Sequence, residues 1–281
     1  LFPEVYHRAR YSINIYGPPS STRIDSISNL FTVKTIDQCF QHSGLGLPPG
    51  IKDDEDHWSV AGHRDRIVTI GEAELALFAR LYDGDDTPLI EARLPALHTC
   101  QLLTVLEKFA AYPCRLSDIE EEYRPTVMWD EANAVKVDHT IRRETQFPDG
   151  PKQLILSGPH FFVGNPLNKT PRAICTEKSH YDVINLETLP TDYIPRTNYV
   201  PDCTPAEYRN RTPSVGWDAE KKVTDFYRFV SRRMLPPPNE RTLAAAIAPK
   251  GVGHIDGAFS ITFRENKDLI GFLACSIALP C

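Results

Sequence analysis

The residues whose types and spacing best suit a chemical task lie between prolines in the second half of the chain. Gly158 to Arg172 reads GPHFFVGNPLNKTPR and presents Asn165, Asn168, Lys169, Thr170 and Arg172 beside Phe161 and Phe162. Tyr193 to Pro201 reads YIPRTNYVP and offers Arg196, Thr197, Asn198 and Tyr199 on an extended backbone. Asn239 to Gly257 reads NERTLAAAIAPKGVGHIDG, with Arg241 before an apolar run and Lys250, His254 and Asp256 in a glycine-rich turn after it. Arginine and lysine match phosphates and guanine edges, and asparagine can pair bidentately with adenine. Loops stiffened by proline and glycine lose less freedom on binding. The three segments therefore predict DNA contacts at Asn165, Lys169, Arg172, Arg196, Asn198, Arg241, Lys250 and His254. A helix expected from Asp218 to Met234 adds Arg228, Arg232 and Arg233 on its basic outer face, for phosphate.

Other chemistries lack their frames. Neither G-x-x-x-x-G-K-[ST] nor G-x-G-x-x-G between a strand and a helix is present, so no phosphate-cradling turn is expected. His63-Arg64-Asp65 matches the start of a kinase catalytic loop, but Ile70 stands where asparagine is required. His98, Cys100 and Cys114, and then Cys175, His180 and Cys203, follow no zinc spacing, and no metal site is expected. No G-x-S-x-G elbow supports a serine nucleophile. The acidic runs Asp53-Asp54-Glu55-Asp56 and Glu120-Glu121-Glu122 read as solvated faces.

The elements that must position these residues can be read from periodicity. Tyr11 to Tyr16 alternates and stops at Gly17-Pro18-Pro19, which predicts a strand; Ile67 to Ile70 predicts another. Leu75, Phe78 and Leu81 share one helical face that stops near Gly84. Leu102, Val105, Leu106, Phe109 and Ala110 predict a second helix, and Ser117 to Glu120 has capping-box spacing for a third. Weak alternation around Val135, Val137 and Leu154 to Leu156 predicts strands about a Pro148-Asp149-Gly150 turn. Tyr181 to Leu186 predicts a buried strand. Val223, Phe226, Tyr227, Val230 and Met234 form the apolar stripe of the basic helix, stopped by Pro236-Pro237-Pro238. Thr242 to Ile247 reads as buried, as either helix or strand. The expected class is α+β: mixed sheets with packed helices in two subdomains, the second rich in proline loops.

Composition bounds the function. Of 281 residues, 41% are hydrophobic and 24% charged, a globular balance, and no apolar run approaches the roughly 20 residues that span a bilayer. The net charge is -6, but it is unevenly divided. Residues 1–159 carry 16 basic and 24 acidic side chains, whereas residues 160–254 carry 13 and 10. A surface that meets a polyanion is expected in the second half. Seven cysteines, odd in number and never spaced C-x-x-C, suit a reducing cytoplasm. The chain opens on Leu1 without an apolar leader and closes on an apolar run at Cys281, so it is expected to be a piece of a longer protein.

With YDVINLETLPTDYIPRTNYVP and RRMLPPPNERTLAAAIAPKGVGHIDG, the segment GPHFFVGNPLNKTPR resembles the region after the catalytic domain in single-chain adenine-specific DNA methyltransferases. These include type IIG restriction-modification enzymes and related phage-defence methylases. LFPEVYHRARYSINIYG, HSGLGLPPGIKDDEDHWSVAGHRDRI and EARLPALH fit the same region more loosely. The resemblance implies an α/β region over 1–124 that follows a catalytic domain lying outside this chain, and a target-recognition region over 125–281. It also implies S-adenosylmethionine for the parent protein, double-stranded DNA and the parent's own catalytic domain as partners, other defence-system subunits as further partners, and no membrane. The family's Asn-Pro-Pro-aromatic motif holds an extruded adenine. Here Asn165-Pro166 is followed by Leu167 and Asn168, so no catalytic residue and no cofactor are expected in this chain. Protein–protein docking is the alternative expectation.

Overall fold

A computed structural model describes residues 12–18, 21–55, 57–84, 86–113, 115–162, 169–234 and 243–277. The fold is mixed α+β, with several small sheets, and it divides into two compact units, Leu1–Arg115 and Leu116–Cys281. Among the described residues no helix is long and apolar enough to cross a membrane. Asn165, Arg241 and Thr242 lie outside the described residues.

In the first unit the elements run β1 (Ile24–Ser26), α1 (Lys34–Gln41), β2 (Val68–Ile70), α2 (Glu72–Tyr82) and α3 (Gln101–Ala111). β1 and β2 pair antiparallel, with Ile24 opposite Ile70. Val68 and Ile70 point inward around exposed Thr69 and pack with Leu75, Phe78 and Leu97. The Gly71 N–H donates to Glu74 Oε2 at 2.8 Å and fixes the first turn of α2; Gly84, at φ 117°, follows its end. Arg66 is fully buried and ties the unit together, donating to the carbonyls of Ala61, Ser28 and Asn29.

Two expectations change here. Ser12 to Tyr16 is not a strand, and every one of these side chains is exposed, because no described segment pairs with it. Period-two alternation makes a strand only where a partner accepts its backbone groups. The α3 helix forms as expected, but its buried row lies around Leu103, Leu106 and Ala110. Leu102, Val105 and Phe109 face outward, Phe109 at 60% exposure.

The second unit opens with a 3₁₀ segment at Leu116–Glu122, broken at Ile119, where a short capped helix was expected. The remaining elements are β3 (Tyr123–Thr126), α4 (Glu131–Lys136), β4 (Ile141–Gln146), β5 (Ile155–Leu156), β6 (Lys169–Pro171), β7 (Tyr181–Val183), β8 (Thr197–Pro201), α5 (Pro205–Arg211), β9 (Arg228–Arg232), β10 (Ala245–Ala248), β11 (Gly253–His254), β12 (Ala258–Phe263) and α6 (Asn266–Ser276). One four-stranded sheet has the order β10-β9-β12-β3. Separate two-stranded sheets join β4 to β8, β6 to β7 and, in parallel, β5 to β11. On one side of the large sheet Phe229, Ile261 and Phe263 pack against Leu269 and Phe272 of α6; on the other, Val230 and Ala258 meet Leu156 and Phe161. Val135, expected in a strand, lies in α4, where Asp130 accepts the Asn133 N–H and starts the helix; Val137 caps its end.

The largest correction is at 218–234. The basic amphipathic helix is absent: a 3₁₀ turn at Val223–Asp225 leads into β9. Both faces of β9 are covered, so Phe229 and Val230 are buried in opposite directions. A strand covered on both faces has no polar alternation to distinguish it from a helix stripe. Tyr181 to Leu186 is likewise not a buried strand. Only Tyr181 is buried, because β6 and β7 form a ribbon that leaves Asp182 and Val183 exposed.

Candidate nucleic-acid interface

The β6–β7 ribbon gathers three of the sequence-predicted residues. It pairs Lys169 with Val183, Thr170 with Asp182 and Pro171 with Tyr181. Thr170 Oγ1 accepts the Arg196 N–H at 3.0 Å, and the Arg196 guanidinium reaches the Pro171 carbonyl at 3.4 Å. From the interior, His160 Nε2 donates to the Arg196 carbonyl at 2.9 Å while its Nδ1 accepts the Ser157 N–H. Burial disfavours the imidazolium and lowers the His160 pKa, which keeps the ring neutral for this double role. The Arg196 backbone is thus held from the ribbon side and from the core side.

The side chains extend from this clamp onto aromatic rings. The Arg196 guanidinium carbon lies 4.2 Å from the Phe147 ring centroid, and Lys169 Nζ lies 4.6 Å from that of Phe162. Both rings are exposed, at 52% and 41%. Arg172 differs, because its Nε donates to Asp182 Oδ1 at 2.8 Å. Among the described residues no carboxylate forms an ion pair with Lys169 or Arg196. Both cations are half-buried, so each keeps part of its side chain open to solvent.

Lys250 is exposed on a different turn, with Nζ 5.5 Å from the Tyr227 ring. That turn depends on Gly251 at φ 90°, where a Cβ would also fall 2.9 Å from Lys152 Cγ. Arg233 is exposed and Arg232 half-buried at the end of β9.

Asn198, Arg228 and His254 are corrected: they face the core. Asn198 is buried on β8, its Oδ1 accepting from Thr145 Oγ1. Arg228 is fully buried, donating to the Val252 carbonyl, to Ser260 Oγ at 3.3 Å and to Met128 sulfur. Ser260 Oγ in turn lies 2.9 Å from His254 Nε2, and His254 Nδ1 donates to the Ile255 carbonyl. Burial and the Arg228 charge push His254 down to about 3, so the ring is neutral and accepts the Ser260 hydroxyl proton. The sequence places Asn198 and His254 in proline- and glycine-bracketed segments, and Arg228 on the face of a helix that is instead β9. In the fold the same segments carry β8 and β11, whose backbones are paired and covered. Short segments with few apolar residues can still be core when their polar groups are satisfied internally.

Phe147 was not anticipated as part of any site. Its signal is its place between the end of β4 at Gln146 and the Pro148-Asp149-Gly150 turn, where it stands exposed. The Thr204-Pro205-Ala206-Glu207 capping box was also missed; Thr204 Oγ1 accepts the Glu207 N–H and Glu207 Oε2 accepts the Thr204 N–H, starting α5.

Comparison with known protein families, with curated proteins and with solved structures finds no match to this chain. Among the described residues no group of three or more histidine, cysteine and acidic side chains is placed to hold a metal ion. An open depression of about 520 Å³ is lined by Trp129, Val137, Asp138, Thr140 and Arg211.

Proposed function

We propose that this chain is a DNA-recognition region of an adenine-specific, S-adenosylmethionine-dependent DNA methyltransferase of the restriction-modification or phage-defence kind, working in the cytoplasm. Cofactor binding and methyl transfer belong to the parent's catalytic domain in this reading. The observation that carries it is the pair of half-buried cations, Lys169 and Arg196, each set against an exposed aromatic ring and without a carboxylate partner among the described residues, beside the polar segment that also bears the sequence resemblance. Lys250 and Arg233 are exposed cations of the same unit, while Arg172 is paired with Asp182. Asn198, Arg228 and His254 are buried and take no part in the contact in this reading.

The test is titration of duplex DNA with the full chain at low salt. Replacing Lys169 and Arg196 together by glutamine is expected to weaken binding by at least tenfold, irrespective of DNA sequence, because phosphate contacts carry no sequence information. Unchanged affinity in the double variant would remove this surface from the interface.

A second reading, docking onto another protein, is supported by the outward row Leu102, Val105 and Phe109 on α3. Exposed apolar rows of this kind mark protein contacts more often than DNA contacts. No duplex binding at any salt concentration, in a folded chain, would favour docking.

A further inference from the structure

We infer that the Phe147–Arg196 and Phe162–Lys169 pairs form a stacking platform for an unpaired base, so that the surface prefers DNA that is locally unpaired over a continuous duplex. The inference rests on the DNA-contact reading above and deepens it. Two observations carry it together. Each ring holds one of the chain's own cations near it, at 4.2 and 4.6 Å, yet keeps 52% and 41% of its surface exposed. The cations come from different parts of the sequence: Arg196 immediately precedes β8, and Lys169 opens β6.

A pair that existed only to shield the ring would bury it. Here each phenylalanine stays exposed with its cation beside the ring. The positions are fixed from below: Arg196 by Thr170 and His160, Lys169 by its place opposite Val183. A base offers a flat π-face, and a strand whose bases are unstacked offers phosphates beside it. Aromatic faces with adjacent arginine or lysine answer both at once. In a continuous duplex the base faces are occupied by their neighbours, and only the phosphates remain for Lys169 and Arg196. The rings then add nothing, which is why a preference between the two forms of DNA is the signature of the platform.

The experiment measures fluorescence anisotropy of the full chain with four labelled probes: a duplex, the same duplex with a central unpaired bubble, the single DNA strand, and the RNA strand of the same sequence. The bubble and the single DNA strand are expected to bind roughly tenfold tighter than the duplex, the order of loss seen when one stacked base is given up. The Phe147→Leu, Phe162→Leu double variant is expected to abolish that difference, and Phe147→Tyr, Phe162→Tyr to restore it. Both positions are exposed, and unchanged circular dichroism and melting establish that the variants fold. Equal affinity for bubble and duplex, or a preference that survives the leucine variant, overturns the platform while leaving the DNA-contact reading intact. Tighter binding of the RNA strand overturns the assignment to DNA. No binding of any probe by the folded chain removes the platform and the DNA-contact reading together.

Discussion

The buried polar side chains of the second unit have work to do inside the fold, and their chemistry predicts a pH dependence. Arg228 donates to Ser260, Ser260 to His254, and His254 to the Ile255 carbonyl, so the chain of donors needs a neutral imidazole. In the unfolded chain a histidine titrates near 6.5, whereas burial and Arg228 hold the folded value at about 3. Between these values the unfolded state binds the proton and the native state does not. Stability is therefore full above about 6.5 and is lost progressively as pH falls toward about 3, by an amount on the order of a few kcal/mol. Buried His160, whose pKa is also lowered, adds to the same fall. Thermal melting at descending pH is expected to show it, and His254→Gln to make the curve shallower. A melting temperature as steeply pH-dependent in His254→Gln as in the parent chain would show that His254 titrates freely in the native state. From sequence alone, His254 and Arg228 look like surface cations, because a side chain's type does not reveal which backbone carbonyls will be waiting for it.

At the scale of elements, legibility followed the strength of the local signal. The α2 helix was readable because one face carries Leu75 and Phe78, a glycine precedes it and Gly84 follows it. The β2 strand was readable from its β-branched run, with Val68 and Ile70 buried about Thr69. The α3 helix was readable as a helix but not in phase, since it has apolar residues on two sides and only packing selects Leu103 and Leu106. β9 was not readable, because α6 covers one of its faces and Leu156 and Phe161 the other, and its sheet partners β10 and β12 follow it in sequence. The α5 helix starts at a capping box that is present in the sequence, Thr204 to Glu207. Its short length makes the cap matter: Thr204→Ala removes the acceptor for the Glu207 N–H and is expected to lower stability by about 1 kcal/mol. Urea denaturation measures this, and an unchanged midpoint would show that tertiary packing alone holds the helix.

At the scale of the whole molecule, a chain of net charge -6 can approach a polyanion only through a local surface. The uneven division of charge was legible in the sequence and located the candidate surface in the second half. What was not legible was which cations stay uncompensated: Arg172 meets Asp182 across the ribbon, Arg209 meets Asp225, and Arg228 turns inward. These pairings arise from strand register and turns, which the sequence does not print. They leave a small number of cations for phosphate and so predict a shallow salt dependence. Each phosphate neutralised contributes about 0.9 to the slope of log affinity against log salt. Replacing Lys169 and Arg196 by glutamine should remove roughly two units of that slope, whereas Arg172→Gln, which also frees Asp182, should weaken binding through added repulsion. Affinities measured across a salt series separate these outcomes. A slope unaltered by the double replacement would place the phosphate contacts elsewhere on the chain, and the unbalanced charge of β6 and Arg196 would then need a partner other than DNA.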